Sequence, residues 1–364
     1  MKIAILGTRG IPNHHGGFEQ FAEFFSIFLQ QRGHEVYVYN SSLHPYKKKI
    51  YKGVNLIHCT DPENKIGTAG QFIYDLNCIL DSRKKNFDVI LQLGYTSSSI
   101  WHFLLPKKSV IITNMDGLEW KRSKYSKKTQ KFLKFAEKLA ANHGGYLIAD
   151  SVGIRDYIKE EYRKETKYIA YGAEVFSDTK EVLLNKFYLS PYQYHLLIAR
   201  MEPENNIETI IDGIIENKSQ KPLILVGNYK NTSFGKYLYE KYSNNFNIKF
   251  IGAVYDIEIL NNLRYFSDIY FHGHSVGGTN PSLLEAMASN CFIVAHDNIF
   301  NKSILGDDAL YFSTSNDISQ ILVFQTKTNN YKKINSNLEK VAKKYSWENI
   351  NQQYLDFILE CLKK

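Results

Sequence analysis

The chain has 364 residues, 44% of them hydrophobic and 23% charged, with a formal net charge of +8. That length suits two domains of roughly 150–200 residues each, and the composition is that of a globular protein rather than a disordered or fibrous one. No apolar run approaches the roughly 18 residues of a membrane span. The first glycine loop interrupts the apolar opening too early for a signal peptide, and the scattered Cys59, Cys78, Cys291 and Cys361 suggest neither a disulfide framework nor a zinc site, which fits a cytoplasmic location.

The chain opens with an apolar run at 3–6 that reads as a buried parallel strand. A loop from Gly7 to Gly17 follows, and then Phe18, Phe21, Ala22, Phe25, Phe28 and Leu29 recur on one helical face. Gly33 ends that helix, and further strands are expected at 35–39, 54–58, 88–93, 109–113, 146–149 and 167–170. A polar stretch from Ser177 to Asn185 reads as a hinge. The pattern restarts at 194–199 and continues at 223–226, 248–251, 269–271, 292–295 and 310–312, before an amphipathic tail after Trp347. Strands alternating with helices throughout imply an α/β protein with two doubly wound parallel sheets. The expected division is 1–176, 177–345 and a closing helix at 346–364.

Two loops carry the chemistry. The segment from His272 to Asn280 joins the strand at 269–271 to a helix carrying Glu285. A Gly-rich turn at a helix N-terminus suits a phosphate, through Gly277, Gly278, Thr279 and Asn280. A carboxylate one turn further on can accept hydrogen bonds from a pentose hydroxyl. The first loop ends in Gly16 and Gly17, which let a ligand approach the backbone, and it carries Arg9. It lacks the G-x-G-x-x-G spacing of a dinucleotide fold. In doubly wound sheets such strand-end loops are where ligands bind.

Further strand ends offer Arg200, which can hold a diphosphate or pair with Glu202 or Glu204, and Asp116. Asp116 either faces the site or forms a turn before Gly117. The histidines have no metal-ligand spacing and no Asp-x-Asp is present, so metal-free chemistry without a bound cofactor is expected.

Charge is unevenly spread. Residues 1–172 hold 26 Lys and Arg against 16 Asp and Glu, a net of +10, and the remainder holds 19 against 21, a net of −2. Eight basic residues fall between Lys121 and Lys138, interleaved with Tyr125, Phe132, Leu133 and Phe135. Such a stretch suits an anionic membrane surface or a solvated helix with one face in the core. No nucleic-acid motif accompanies it.

The glycine loop with the segment Gly33 to Val36, the segment Ala199 to Ile207 and the segment Pro281 to Ala288 resemble retaining glycosyltransferases of family 4. The segment Tyr345 to Glu348 is similar to the family's closing helix, which crosses back to the N-terminal domain. Gly7 to Pro12, Asp116 to Arg122 and His272 to Pro281 look like a bacterial rhamnosyltransferase subgroup of surface polysaccharide synthesis. The resemblance implies the GT-B fold, two Rossmann-like domains facing across a cleft, the first on the acceptor side and the second binding the nucleotide sugar.

It also implies transfer of a deoxyhexose, rhamnose from dTDP-rhamnose, to a lipid-linked saccharide, with retention, at the inner face of the membrane. Asp116 and Arg200 would be catalytic. Arg9, Gly16, Gly17, Gly277 to Asn280 and Glu285 would bind the donor. The sequence departs from the wider family at Gly277, where a first glutamate is usual, at Asn205 in place of a lysine, and at Asp116 in place of a histidine. Another nucleotide sugar, an epimerase or hydrolase, or a sugar-nucleotide sensor are the alternatives on this fold.

Overall fold

Short runs of two to seven residues, most of them apolar and buried, become the strands of two sheets. A computed structural model describes every residue except His15, Asp116, Ser123, Lys124 and Gly277. The first sheet holds β1 (Lys2–Leu6), β2 (Glu35–Ser41), β3 (Ile50–Tyr51), β4 (Val54–Cys59), β5 (Val89–Leu93), β6 (Val110–Met115), β7 (Tyr146–Ala149) and β8 (Lys167–Tyr168). The second holds β9 (His195–Ile198), β10 (Leu223–Val226), β11 (Ile248–Gly252), β12 (Tyr270–His272), β13 (Ile293–His296) and β14 (Leu310–Phe312). The helices around them include α1 (Gly17–Gln31), α2 (Gly70–Ser82), α3 (Lys127–His143), α4 (Ile207–Asn217), α5 (Ile257–Tyr265), α6 (Pro281–Ala288) and α7 (Trp347–Leu362).

The first sheet runs β3-β4-β2-β1-β5-β6-β7-β8 and the second β11-β10-β9-β12-β13-β14. Every pairing is parallel except β3 with β4. These are two Rossmann-like α/β domains, and the expected alternation of elements is what the chain forms. The strand order turns back between β1 and β5 in one sheet and between β9 and β12 in the other. In open parallel sheets, ligands bind beyond the strand ends at such a switch point.

The first unit comprises Met1–Lys121, Tyr125–Tyr171 and Trp347–Lys364, and the second is built on Gly172–Ser346 and includes Arg122. The change of unit at Gly172 precedes the polar stretch read as a hinge. That stretch runs into a 3-10 helix, Glu181–Phe187. It is tied within the second unit by Phe176 N donating to Ala288 O (2.9 Å) and Lys180 N to Asn262 Oδ1 (2.6 Å).

The final helix, α7, belongs to the first unit. Its Trp347 stacks on Phe24 with centroids 4.5 Å apart, and its Tyr354 meets Phe21 at 4.5 Å and Phe25 at 5.4 Å. The Tyr354 hydroxyl accepts from Asn114 Nδ2 at the end of β6 (2.8 Å). Aromatic pairs of this geometry add about 0.5–1.5 kcal/mol each beyond area burial, so α7 is a structural wall of this unit.

The basic stretch forms α3 from Lys127, capped by Ser126 Oγ accepting from Thr129 N (3.2 Å). Leu133, Ala136, Glu137 and Ala140 face inward, while Lys127, Lys128, Lys131, Phe132, Phe135 and Lys138 are exposed. Lys134 is not part of a solvated face. Its ammonium lies 4.7 Å from the Trp120 ring and 4.8 Å from that of Tyr157, and 3.2 Å from the buried Glu137. Glu137 also accepts from Tyr157 (2.5 Å), Tyr162 (2.6 Å) and Trp120 Nε1 (3.0 Å). A buried carboxylate met by this many donors is compensated in place.

Candidate functional site

At the switch point of the second sheet, the loops after β9 and β12 come against each other. A Cβ added to Gly273 would fall 1.9 Å from Asn205 O, so only glycine allows that approach. Asn206 Nδ2 donates to Gly273 O (2.7 Å), and His274 Nδ1 lies 3.0 Å from Asn205 Oδ1. Asn205 therefore braces the two loops, a role its position in the sequence did not suggest.

Arg200 leaves the end of β9 with its side chain 64% exposed, 3.9 Å from Glu202 Oε2. Buried Arg122 approaches the same carboxylate at 3.5 Å. Burial, together with these two cations, lowers the pKa of His274 to about 4, and burial lowers that of His272 to about 3. Both imidazoles are neutral near pH 7, so among the described residues the positive charge beside Glu202 is that of the two guanidiniums.

Helix α6 starts after Asn280, whose Oδ1 accepts from Ser282 N (2.9 Å), and Pro281 occupies the first helical position. Thr279 is buried beside this start, and Gly278 is half-buried. Gly277 lies outside the described residues. Glu285 stands one turn into α6, where its Oε2 accepts from Arg264 Nη2 at 2.5 Å. Arg264 is fully buried on α5, and its Nη1 donates to Asn261 Oδ1 (3.0 Å). Glu285 Oε1 has no hydrogen-bond partner among the described residues, so Arg264 fixes one oxygen of the carboxylate and leaves the other available. Arg264 escaped the sequence reading because an arginine on a helix reads as solvated; only burial gives it away.

At the switch point of the first sheet, Gly7 and Gly94 end β1 and β5 with φ of +85° and +80°. A Cβ on Gly7 would fall 2.2 Å from Leu93 O. Beyond them lies a cavity of about 220 Å³, whose walls include Phe18, Tyr74, Tyr95, Glu19, Asp61 and Asp75. Arg9 also lines it, but forms a two-pronged ion pair with Glu63, with Nη2 to Oε1 at 2.8 Å, and its backbone N donates to Glu19 Oε1 (2.8 Å). The hydrogen bond to Glu63 raises the guanidinium's pKa, which is the mark of a satisfied cation.

Asp75 is 8% exposed, and Ser97 Oγ donates to its Oδ2 at 2.5 Å. Burial raises its pKa to about 6, against the lowering effect of that hydrogen bond. Three carboxylates facing a cation that Glu63 already neutralises make a poor diphosphate site. This weighs against the donor-phosphate role that the sequence suggested for Arg9. Gly16, at the start of α1, has an extended backbone and only Glu19 Oε2 near where a Cβ would go (3.7 Å), so nothing in the fold demands glycine there. Gly17 opens α1, and its carbonyl accepts from Tyr171 OH (2.7 Å).

The expected site residues thus fall into two groups. Arg200, Gly278, Thr279, Asn280 and Glu285 gather at one switch point, and Arg9, Gly16 and Gly17 belong to the other unit. Asp116 lies outside the described residues. Among those described, no cluster of His, Cys, Asp and Glu could hold a metal ion.

The strand ends of the second unit have a counterpart in known sequences: residues 189–345 match the family of glycosyl transferases group 1. That match spans most of the second unit. Residues 1–174 match a domain of unknown function, DUF1972. No curated protein matches the chain in sequence. Among solved structures, the chain is similar to sucrose-phosphate synthase from Thermosynechococcus elongatus, with 16% identity, 99% of this chain and 98% of that one covered, and a TM-score of 0.80. It is also similar to Anabaena HepE in complex with UDP and glucose, at 17% identity, 98% and 99% coverage and a TM-score of 0.75. An E. coli trehalose-6-phosphate protein bound with UDP-2-fluoro glucose follows at 11% identity, 98% and 99% coverage and 0.73. These likenesses establish a shared GT-B fold.

Proposed function

We propose that the chain is a glycosyltransferase that takes a sugar from a nucleotide diphosphate and passes it to a lipid-linked saccharide. The observation that carries this is that Arg200, just past the end of β9, and the N-terminus of α6, past the end of the neighbouring β12, both lie at the β9/β12 switch point, with Glu285 held one turn further on. The helix dipole and the guanidinium both favour a diphosphate, and Glu285 Oε1 is available for a pentose hydroxyl. As the glycosidic bond breaks, charge builds on the diphosphate, and Arg200 offsets it. Asp116 orients a hydroxyl of the donor or acceptor. The resemblance to retaining enzymes makes the departing phosphate the group that receives the acceptor's proton, so that the protein positions the reactants and needs no metal.

The preferred donor is dTDP-rhamnose, on the motifs of the first loop and of the segment from His272 to Pro281. A UDP-hexose is the second choice, favoured by the UDP and UDP-glucose bound in structurally similar proteins. Incubating the protein with dTDP-, UDP- and GDP-sugars and a lipid-linked saccharide, with and without chelator, tests both. Product mass identifies the sugar, and NMR of the new linkage gives its anomeric form. Release of free sugar without acceptor would indicate a hydrolase instead, and donor binding without turnover on any acceptor a sensor.

No helix among the described residues is long and apolar enough to cross a membrane. We place the protein at an anionic membrane surface through α3. Phe135 there is 53% exposed, and Phe103, on the 3-10 helix Ser99–Leu104, is 63% exposed. The exposed lysines of α3, Lys131 and Lys138 on either side of Phe135 among them, supply the charge that an anionic surface attracts.

A further inference from the structure

The cavity at the β1/β5 switch point has two kinds of wall. Phe18, Tyr74 and Tyr95 offer ring faces or edges, and Glu19, Asp61 and Asp75 offer carboxylate oxygens. A pyranose presents the same division, with C–H faces above and below a rim of hydroxyls. The 220 Å³ volume is below the roughly 300–1,000 Å³ of pockets for drug-sized ligands, and so suits a single ring.

The oxygens differ in what they have left to offer. Asp61 Oδ2 accepts from Ser41 Oγ (2.6 Å) and its Oδ1 from Glu63 N (3.0 Å), so both are engaged. The Tyr74 hydroxyl reaches the carbonyls of Thr8 (2.9 Å) and Tyr39 (3.0 Å). Asp75 is different. Ser97 holds its Oδ2, while Oδ1 has no hydrogen-bond partner among the described residues, and the residue lines the cavity though more than nine-tenths buried. That oxygen opens on the cavity, where it can accept from whatever fills the space, and a sugar hydroxyl is a donor of the right size.

We propose that this cavity binds the terminal ring of the acceptor, with Asp75 Oδ1 accepting from a ring hydroxyl, and that it selects uncharged sugars over uronic acids and sugar phosphates. This rests on the glycosyltransferase reading and adds the class of acceptor to it. The selection follows from charge. A carboxylate or phosphate brought within a few ångströms of Asp75, Asp61 and Glu19 meets like charge in a partly desolvated space, and Arg9 cannot offset it while Glu63 holds it.

The test needs no turnover. Ligand-observed NMR on the full chain at pH 7.5, without nucleotide, compares methyl glucoside and methyl rhamnoside with methyl glucuronide and glucose 6-phosphate. The neutral glycosides give saturable signals, and the two acidic ligands bind at least tenfold more weakly. In Asp75→Asn, which keeps the shape and removes the charge, neutral binding weakens about fivefold and the gap to the glucuronide narrows. Equal binding of glucuronide and glucoside by the wild-type chain overturns the proposal, as does the absence of any saturable neutral signal. Unchanged neutral affinity in a folded Asp75→Asn protein also overturns it. Donor transfer measured on the same sample separates the two: transfer without ring binding sinks this inference alone, and ring binding without transfer sinks the reaction and with it the acceptor role, leaving only a neutral-sugar site.

Discussion

The two switch points share a backbone device and oppose each other in charge. In each, a glycine permits a contact that a Cβ would forbid, Gly7 against Leu93 O and Gly273 against Asn205 O. One opens on three carboxylates and a neutralised arginine, the other on Arg200 and a helix N-terminus. The Rossmann-like scaffold thus fixes where a ligand goes and leaves its chemistry to a few strand-end side chains. The contrast runs against the bulk charge, because the cavity with excess carboxylate belongs to the half of the chain that is +10 overall. Net charge describes the outside of that unit, where the lysines of α3 lie, and says nothing about its interior.

The largest effect that would break the comparison comes from Arg200. Arg200→Ala should lower kcat by a hundred- to a thousandfold, about 2.7–4 kcal/mol, as loss of an oxyanion donor does. Arg9→Ala should leave the donor KM within about twofold, because its charge is spent on Glu63. Steady-state kinetics of both variants checks this, and the reverse order would move the diphosphate to the first unit.

Next is the surface charge. Changing Lys127, Lys128 and Lys131 together to Gln should weaken sedimentation with anionic vesicles by up to about 3 kcal/mol, at roughly 1 kcal/mol per residue. Binding should fall with salt, and neutral vesicles should not bind. A wild-type protein that stays in the supernatant at low salt would make α3 a solvated face.

Asp75 sharpens the interior side of the contrast. Its pKa in the fold, about 6 against an ordinary 3.8, means that the folded state holds the proton more tightly than the unfolded chain. Its contribution to stability is complete below pH 4 and is lost as pH rises through 6. Asp75→Asn should therefore stabilise the protein at pH 8, by at most about 2–3 kcal/mol on a value of 1.36 kcal/mol per pKa unit. Loss of the charged bond from Ser97 reduces that gain. At pH 4 the variant should gain nothing. Thermal denaturation at both pH values decides, and equal melting shifts at both would deny a buried charge. Smallest is Glu285→Gln, which keeps an acceptor for Arg264 and should raise the donor KM about tenfold, or 1.4 kcal/mol, with kcat little changed.

Most strands were legible in the sequence because they are buried apolar runs, and the strand-end loops followed from them. β3 was not, being two residues in an antiparallel edge pair that carries no periodicity. The nearer parts of the second loop were readable because they are contiguous: Gly278 to Asn280 and Glu285 share one helix start. Asp75, Arg264 and Arg122 were not, since what distinguishes them is burial and a partner 21 to 80 positions away, as Arg264 with Glu285 and Arg122 with Glu202 illustrate. A lone Asp on the inner face of α2, beside Tyr74 and Cys78, was the one available hint. The stretch 177–185, read as a hinge, carries a short 3-10 helix from Glu181 that its polar residues did not signal.

The placement of α7 has a consequence for how the chain is made. The first unit takes its last helix from residues 347–362, after the whole of the second unit has been threaded. A ribosome that has released residues 1–171 has exported every strand of the first sheet but not the wall for Phe21, Phe24 and Phe25. Those rings wait, exposed, through some 175 further residues, which at about 5–20 residues per second is on the order of ten to thirty seconds. Apart from Arg122, the second unit is one stretch, Gly172–Ser346, and can close while the first is still open. Early termination near the C-terminus would therefore damage the unit made first and spare the one made last, and the aggregation hazard of this protein in synthesis resides in the aromatic face of α1.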